Sequence, residues 1–144
     1  MKGFILTVAL SFLFVLNADL NGQSIGKIFK QADADTIFGK VYFAKKIDSK
    51  LIQKIMIDTT NITMFRLTKE KLIILNKYRK LIYPDTLSVN MDEPFYLFTK
   101  DKLNELFEKS GNKSEANIEM RGSTLTITSG DITLEQAAIC PPIC

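Results

Sequence analysis

The only two cysteines in the chain, Cys140 and Cys144, close it as Cys-Pro-Pro-Ile-Cys. A disulfide needs Cα atoms about 4.4 to 6.8 Å apart. An extended proline-rich segment advances ~3.1 Å per residue, which would carry Cys144 about 12 Å from Cys140. Bridging them therefore requires a reverse turn, either with a cis bond before Pro142 or as a type I turn with Pro142 first and Ile143 second. A local disulfide closing the tail is the leading expectation. Free or intermolecularly paired thiols come next. A redox pair is disfavoured because three residues intervene and the prolines oppose the helix that lowers a catalytic thiol's pKa. Metal binding fits least, since two thiolates are half a tetrahedral shell and the chain has no histidine to complete it.

The absence of histidine reaches further, removing imidazole bases, Ser-His and Cys-His pairs and imidazole ligands together. Other candidate chemistry is thin. Ser24-x-x-Lys27 and Ser110-x-x-Lys113 match a Ser-Lys spacing without the further elements such enzymes carry. Asp33-Ala-Asp35 and Asp92-Glu93 are the closest acidic pairs, and neither lies in a loop of EF-hand spacing. Asn61-Ile-Thr63 and Asn112-Lys113-Ser114 are N-glycosylation sequons. The clearest charged feature runs from Arg66 to Lys80, where Arg66, Lys69, Lys71, Lys77, Arg79 and Lys80 face a single Glu70 with Tyr78 among them. Such a stretch could bind phosphate, an anionic polysaccharide or a lipid headgroup, but the leading expectation is that its lysines crowd hairpin turns and sheet edges, where charge blocks aggregation.

The first 24 residues read as a secretory signal peptide: a lysine, an uncharged run from Phe4 to Leu16, then small and polar residues. Those thirteen residues rise roughly 20 Å as a helix, short of the ~30 Å hydrocarbon core. Cleavage is expected between residues 18 and 24, with no transmembrane span in the mature chain. A secreted or periplasmic location follows, where disulfides persist and nucleic acid is not an expected partner. Removing Lys2 and Asp19 with the leader leaves the net charge at +3, too small for a dedicated polyanion receptor.

Residues 25–139 are expected to form one α+β domain, followed by the tail at 140–144. Ile25, Ile28, Phe29 and Ala32 recur at helical spacing behind Ser24 and predict an N-terminal helix. A strand around VYFA, a helix capped at Asp48 or Ser49, and the strands ITMFRL, LIIL and KLIY follow, ended by Pro84. FYLFT, a helix started by Asp101, and the strands ANIEMR, TLTIT and DITLE then repeat the order. A shift of 53 residues lays Phe65 on Ile118, Leu72 on Leu125 and Leu81 on Leu134. The helices are expected to align at 52, Ser49 on Asp101, and the strands before them at about 54. The reading is a β-α-β-β-β unit used twice, although alternation alone would also bring apolar positions into phase. In topology the order resembles DNA sliding-clamp domains, an architectural likeness that carries no function. It implies an antiparallel sheet with helices on one face, and leaves Thr126 and Thr128 on a side expected to meet solvent or a partner.

These features point to an exported, non-catalytic domain without cofactor or metal that binds a macromolecule or glycan through its sheet face or basic turns. The alternative is a thiol-dependent redox or soft-metal-binding protein acting through Cys140 and Cys144. In the exported protein, alkylation should leave the intact mass unchanged until a reductant is added, and then add two alkyl groups. Two reactive thiols without reductant would refute the local disulfide.

Overall fold

The computed structural model describes residues 24–111, 114–135 and 138–140. The signal sequence, except Ser24, lies outside these residues, as does Cys144 and with it the proposed Cys140–Cys144 pairing. The first elements are β1 (Lys27–Lys30), α1 (Gln31–Phe38), β2 (Phe43–Asp48) and α2 (Ser49–Ile57). A meander of β3 (Ile62–Leu67), β4 (Leu72–Asn76) and β5 (Leu81–Tyr83) follows. Then come β6 (Phe95–Thr99), α3 (Lys100–Lys109), β7 (Glu115–Arg121), β8 (Thr124–Ser129), β9 (Ile132–Glu135) and β10 (Ala138–Cys140). The class is α+β, and the order β-α-β-β-β occurs twice, from β2 to β5 and from β6 to β9.

The strands form two antiparallel five-stranded sheets, β1-β9-β8-β7-β2 and β10-β6-β3-β4-β5. Each meander receives its fourth strand from the other unit: β2 pairs with β7, Ile47 opposite Ala116, and β6 pairs with β3, Leu97 opposite Met64. The inner faces of both sheets and the helices α2 and α3 share one apolar core. It includes Ile47, Ile55, Phe65, Ile74, Phe98, Leu103, Leu106, Ile118, Leu125, Ile127 and Leu134. The ring of Phe65 meets that of Phe98 edge-on, centroids 5.4 Å apart, at the crossing of β3 and β6.

Helix starts explain the internal correspondence. Asp48 caps α2, its carboxylate accepting from the Leu51 N–H at 2.9 Å. The equivalent N-cap of α3 is Thr99, with Asp101 inside the first turn. Asp48 therefore corresponds to Thr99, Ile52 to Leu103 and Ile55 to Leu106, a closer spacing than the expected match of Ser49 with Asp101. The match of Leu81 with Leu134 also fails. A bulge between Ile74 and Leu75 brings Tyr83 opposite Ile74, whereas Leu134 stands opposite Ile127 without interruption. Leu81 consequently turns outward, beside Leu75.

The expected helix behind Ser24 is instead a strand followed by a helix. Lys27–Lys30 completes the edge of β9, Ile28 opposite Leu134, because backbone pairing there outweighs a short helical spacing. Just before it, Ile25 exchanges hydrogen bonds with Thr99 at the end of β6: its N–H donates to Thr99 Oγ1 at 2.8 Å, and its carbonyl accepts from the Thr99 N–H at 3.0 Å. Gly26 makes the passage from one sheet to the other. Its φ is +130°, and a Cβ there would lie 2.8 Å from Leu134 Cδ1.

The outer faces differ in character. On the β3 sheet, Ile62, Met64, Ile73, Leu75, Phe95 and Leu97 form a second apolar cluster with Cys140. On the β7 sheet, the corresponding face is polar yet buried, which corrects the expectation that Thr126 and Thr128 meet solvent. Arg121, its side chain fully buried, donates to Glu119 Oε2 at 3.1 Å, to Thr126 Oγ1 at 3.1 Å, to the Gly39 carbonyl at 3.0 Å and to Asp35. Glu119 Oε2 also accepts from Thr126 at 3.0 Å and Thr128 at 2.8 Å. Asp35 belongs to α1, whose Ala34 is fully buried and whose Phe38 packs edge-on against Phe29. The short helix thus closes the Arg121 end of this network. Replacing Glu119 by Ala should lower the unfolding free energy by about 3 kcal/mol, since it breaks the buried half of the Arg121 ion pairing, leaving only the half-exposed Asp35 as counter-charge, and removes the acceptor of Thr126 and Thr128. Thr126→Val should cost only about 1 kcal/mol. Equal denaturation midpoints for the two variants would contradict this account of the network.

Candidate binding cleft

The six basic residues between positions 66 and 80 do not form one surface. β4 separates them. Arg66, Lys69 and Lys71 lie at the β3–β4 end, and Lys77, Arg79 and Lys80 at the β4–β5 end, roughly 17 Å away for five extended residues.

At the first end, residues 68–71 form a tight turn in which the Thr68 N–H donates to the Lys71 carbonyl at 2.9 Å and Thr68 Oγ1 accepts from the Lys71 N–H at 3.1 Å. Lys69 and Lys71 project from it, exposed. Facing them is the segment 84–94, which leaves β5 through the cis Tyr83–Pro84 bond and returns at Phe95. Val89 and Met91 pack on the outer apolar cluster, and Asn90 Oδ1 accepts from the Asp92 N–H at 2.9 Å in an Asx turn. Turn and segment enclose an open concavity of about 480 Å³, lined by Thr68, Lys69, Lys71, Ser88, Asn90 and Glu93 among others, with Arg66 at its base.

Arg66 is 6% exposed and serves the walls of the cleft more than its contents. Its Nε donates to the Pro94 carbonyl at 3.2 Å, Nη2 donates to the Glu93 carbonyl, and Nη1 stands 3.7 Å from the Glu93 carboxylate. The guanidinium lies 3.8 Å from the centroid of the Phe95 ring. Burial lowers its pKa from the ordinary arginine value, partly offset by the charge on Glu93. Of the residues expected to contact an anion at this end, Lys69 and Lys71 are therefore presented outward, and Arg66 fixes the segment opposite them.

At the second end the chemistry is largely internal. Lys100 Nζ donates to the Ile55 carbonyl at 2.7 Å and also to the Asp58 carbonyl, capping the C-terminus of α2 from the start of α3. Burial lowers its pKa, against the pull of Asp58. Burial pushes the Asp58 carboxyl up, but hydrogen bonds from Thr60 and Asn76 outweigh it and hold the group below its usual range.

The remaining sequence candidates disperse. Ser24 Oγ donates to Asp101 Oδ2, while Lys27 Nζ sits 5.4 Å from the Phe29 ring centroid, so the two do not form a dyad. Ser110 Oγ donates to the Phe107 carbonyl at 3.0 Å at the end of α3, and Lys113 lies outside the described residues. Asp35 is committed to Arg121 and Glu93 to Arg66. Thr63 of the first sequon is buried in β3, and Asn112 of the second lies outside the described residues. Cys140 is 1% exposed, opposite Phe95. Among the described residues no group of three or more His, Cys, Asp or Glu side chains would hold a metal ion, and no helix is long and apolar enough to cross a membrane. Ser88 and Asn90 were not singled out by sequence, since isolated polar residues in a polar segment carry no periodic signal. The chain matches no protein-family model, no curated protein and no solved structure.

The load on Arg66 predicts the behaviour of Arg66→Met, which keeps packing on Phe95 but gives up the hydrogen bonds to Glu93 and Pro94. Amide hydrogen exchange should accelerate across residues 85–94 while β7–β9 stays protected, with a stability loss of about 1 to 3 kcal/mol. Unchanged protection in that segment would show that Arg66 does not anchor it.

Proposed function

We propose that the chain is an exported, non-catalytic binding domain that holds an acidic glycan in the cleft between the 68–71 turn and the 84–94 segment. The observation that carries this reading is the convergence of the exposed cations Lys69 and Lys71 with the hydroxyls of Thr68 and Ser88 and the amide of Asn90 on one concavity of about 480 Å³. Cations with flexible stems suit carboxylate or sulfate groups, and neutral donors and acceptors suit sugar hydroxyls. Glu70 and Glu93 temper the charge, which favours a sparsely charged saccharide over a dense polyanion. Export, a secreted or periplasmic site of action and the tail disulfide belong to the same proposal, and the leader at residues 1–24 supports them. The burial of Cys140 in β10 speaks against the thiol-dependent alternative, because an attacking thiolate must be accessible.

Isothermal titration with a uronic-acid oligosaccharide, and with a neutral oligosaccharide of the same length as control, tests the reading. Lys69→Ser and Lys71→Ser should each weaken binding of the acidic sugar about tenfold. Both side chains are exposed, so the variants should unfold at the wild-type temperature. Equal affinity of wild type and double variant would sink the proposal.

A further inference from the structure

The β4–β5 loop is built around Asn76. The Asn76 N–H donates to the Lys80 carbonyl, and the Asn76 carbonyl accepts from the Arg79 N–H, both at 2.9 Å. The side-chain oxygen accepts from the Tyr78 N–H at 2.9 Å and the Lys80 N–H at 3.0 Å. This three-residue loop ends in a left-handed residue, a position that favours glycine. Here it is Arg79, at φ +65°. The β7–β8 and β8–β9 turns of the second unit place Gly122 and Gly130 in the same conformation, at φ +60°. A cation thus stands where glycine would relieve the backbone.

That strained loop displays Tyr78, which is 77% exposed, between Lys77, Arg79 and Lys80. Ile57, the last residue of α2 and 71% exposed, lines the same concavity of about 320 Å³ together with Tyr78, Lys80 and Lys54. Two large apolar side chains therefore stand in water among cations. The cations outnumber the acidic groups beside them: Asp58, a carboxylate held by Thr60 and Asn76, and Asp85, which pairs with Lys54 at 3.0 Å, stand against Lys54, Lys77, Arg79 and Lys80. An acidic polysaccharide would use the cations but has no use for Ile57. An anionic bilayer uses both, taking apolar tips to the headgroup boundary and pairing cations with headgroups.

From this we infer that the β4–β5 tip and the C-terminal end of α2 form a docking surface for an anionic lipid bilayer, separate from the glycan cleft at the far end of β4. The experiment is sedimentation of the protein with vesicles of phosphatidylcholine alone and of equimolar phosphatidylcholine and phosphatidylglycerol. The mature protein is used, because an apolar leader would add binding to both kinds of vesicle. Wild type should bind the anionic vesicles and not the neutral ones. Arg79→Gly should melt at a higher temperature than wild type yet bind about fivefold more weakly, as loss of one surface cation predicts. Ile57→Ser and Tyr78→Ser should each weaken binding as well. Equal binding to neutral vesicles, or Arg79→Gly binding as well as wild type, would overturn the inference. So would insensitivity to both Ile57→Ser and Tyr78→Ser, which would reduce the tip to a surface for soluble polyanions. The lysines of the cleft serve as the internal control: Lys69→Ser should leave most vesicle binding intact.

Discussion

The exchange of first strands between the two β-α-β-β-β units is the constraint on which the rest of this structure depends. β2 completes the sheet of the second meander and β6 that of the first. Neither unit has a closed core alone, because Ile47 and Phe98, carried by the exchanged strands, sit in one cluster with Phe65 and Ile118 from the two meanders. Burial of these apolar side chains drives both units to order together. Their helices α2 and α3 then fall on a shared interior, and each must be closed at its ends from nearby elements. Lys100 capping the end of α2 is the plainest case, since a residue at the start of one unit's helix satisfies the carbonyls at the end of the other's.

Departures from this internal symmetry are where the surface acquires character. The second unit receives β1 along β9, and the first receives β10 beside β6, so the sheet edges are β1 and β2 in one sheet and β10 and β5 in the other. β2 carries Lys45 and Lys46, and β5 is three residues long, both features that discourage edge-to-edge pairing. The outer faces diverge more sharply. Arg66 and Glu119 occupy corresponding positions, yet one clamps an irregular segment over an apolar face and the other anchors a polar network beneath α1. Turn chemistry diverges as well, with Arg79 standing in a backbone conformation that the second unit gives to Gly122 and Gly130.

The two ends of β4 therefore differ in kind. One holds a cleft whose walls are an ordered turn and a segment pinned by a buried guanidinium. The other presents a tight loop with Arg79 in the left-handed region and Tyr78 exposed. Placing these features on a hairpin whose strands are almost wholly buried gives each a rigid base, which is how loops on a fixed scaffold usually carry recognition.

Much of the fold was legible in the sequence because local rules dominate there. Apolar runs bounded by polar breaks mark ITMFRL and FYLFT as strands at their observed limits, and the side chains and the helical spacing behind them narrow the cap of α2 to Asp48 or Ser49, of which Asp48 is the one. The two-unit order followed from those local readings alone. What the amino-acid order could not decide was which faces meet. Thr126 and Thr128 alternate with apolar residues in the manner of a solvated face, yet the tertiary structure buries them among Glu119, Arg121 and Thr133, with Asp35 of α1 closing the network. Ile25 to Phe29 has helical spacing, but the unpaired edge of β9 made a strand the lower-energy state. The run of cations from Arg66 to Lys80 is continuous in sequence and divided in space, because a hairpin places successive turns at opposite ends of its strands. Periodicity reports the geometry of one segment; the partner that segment will bury against is set by long-range packing, and that is what fixed the cleft, the tip and the polar layer.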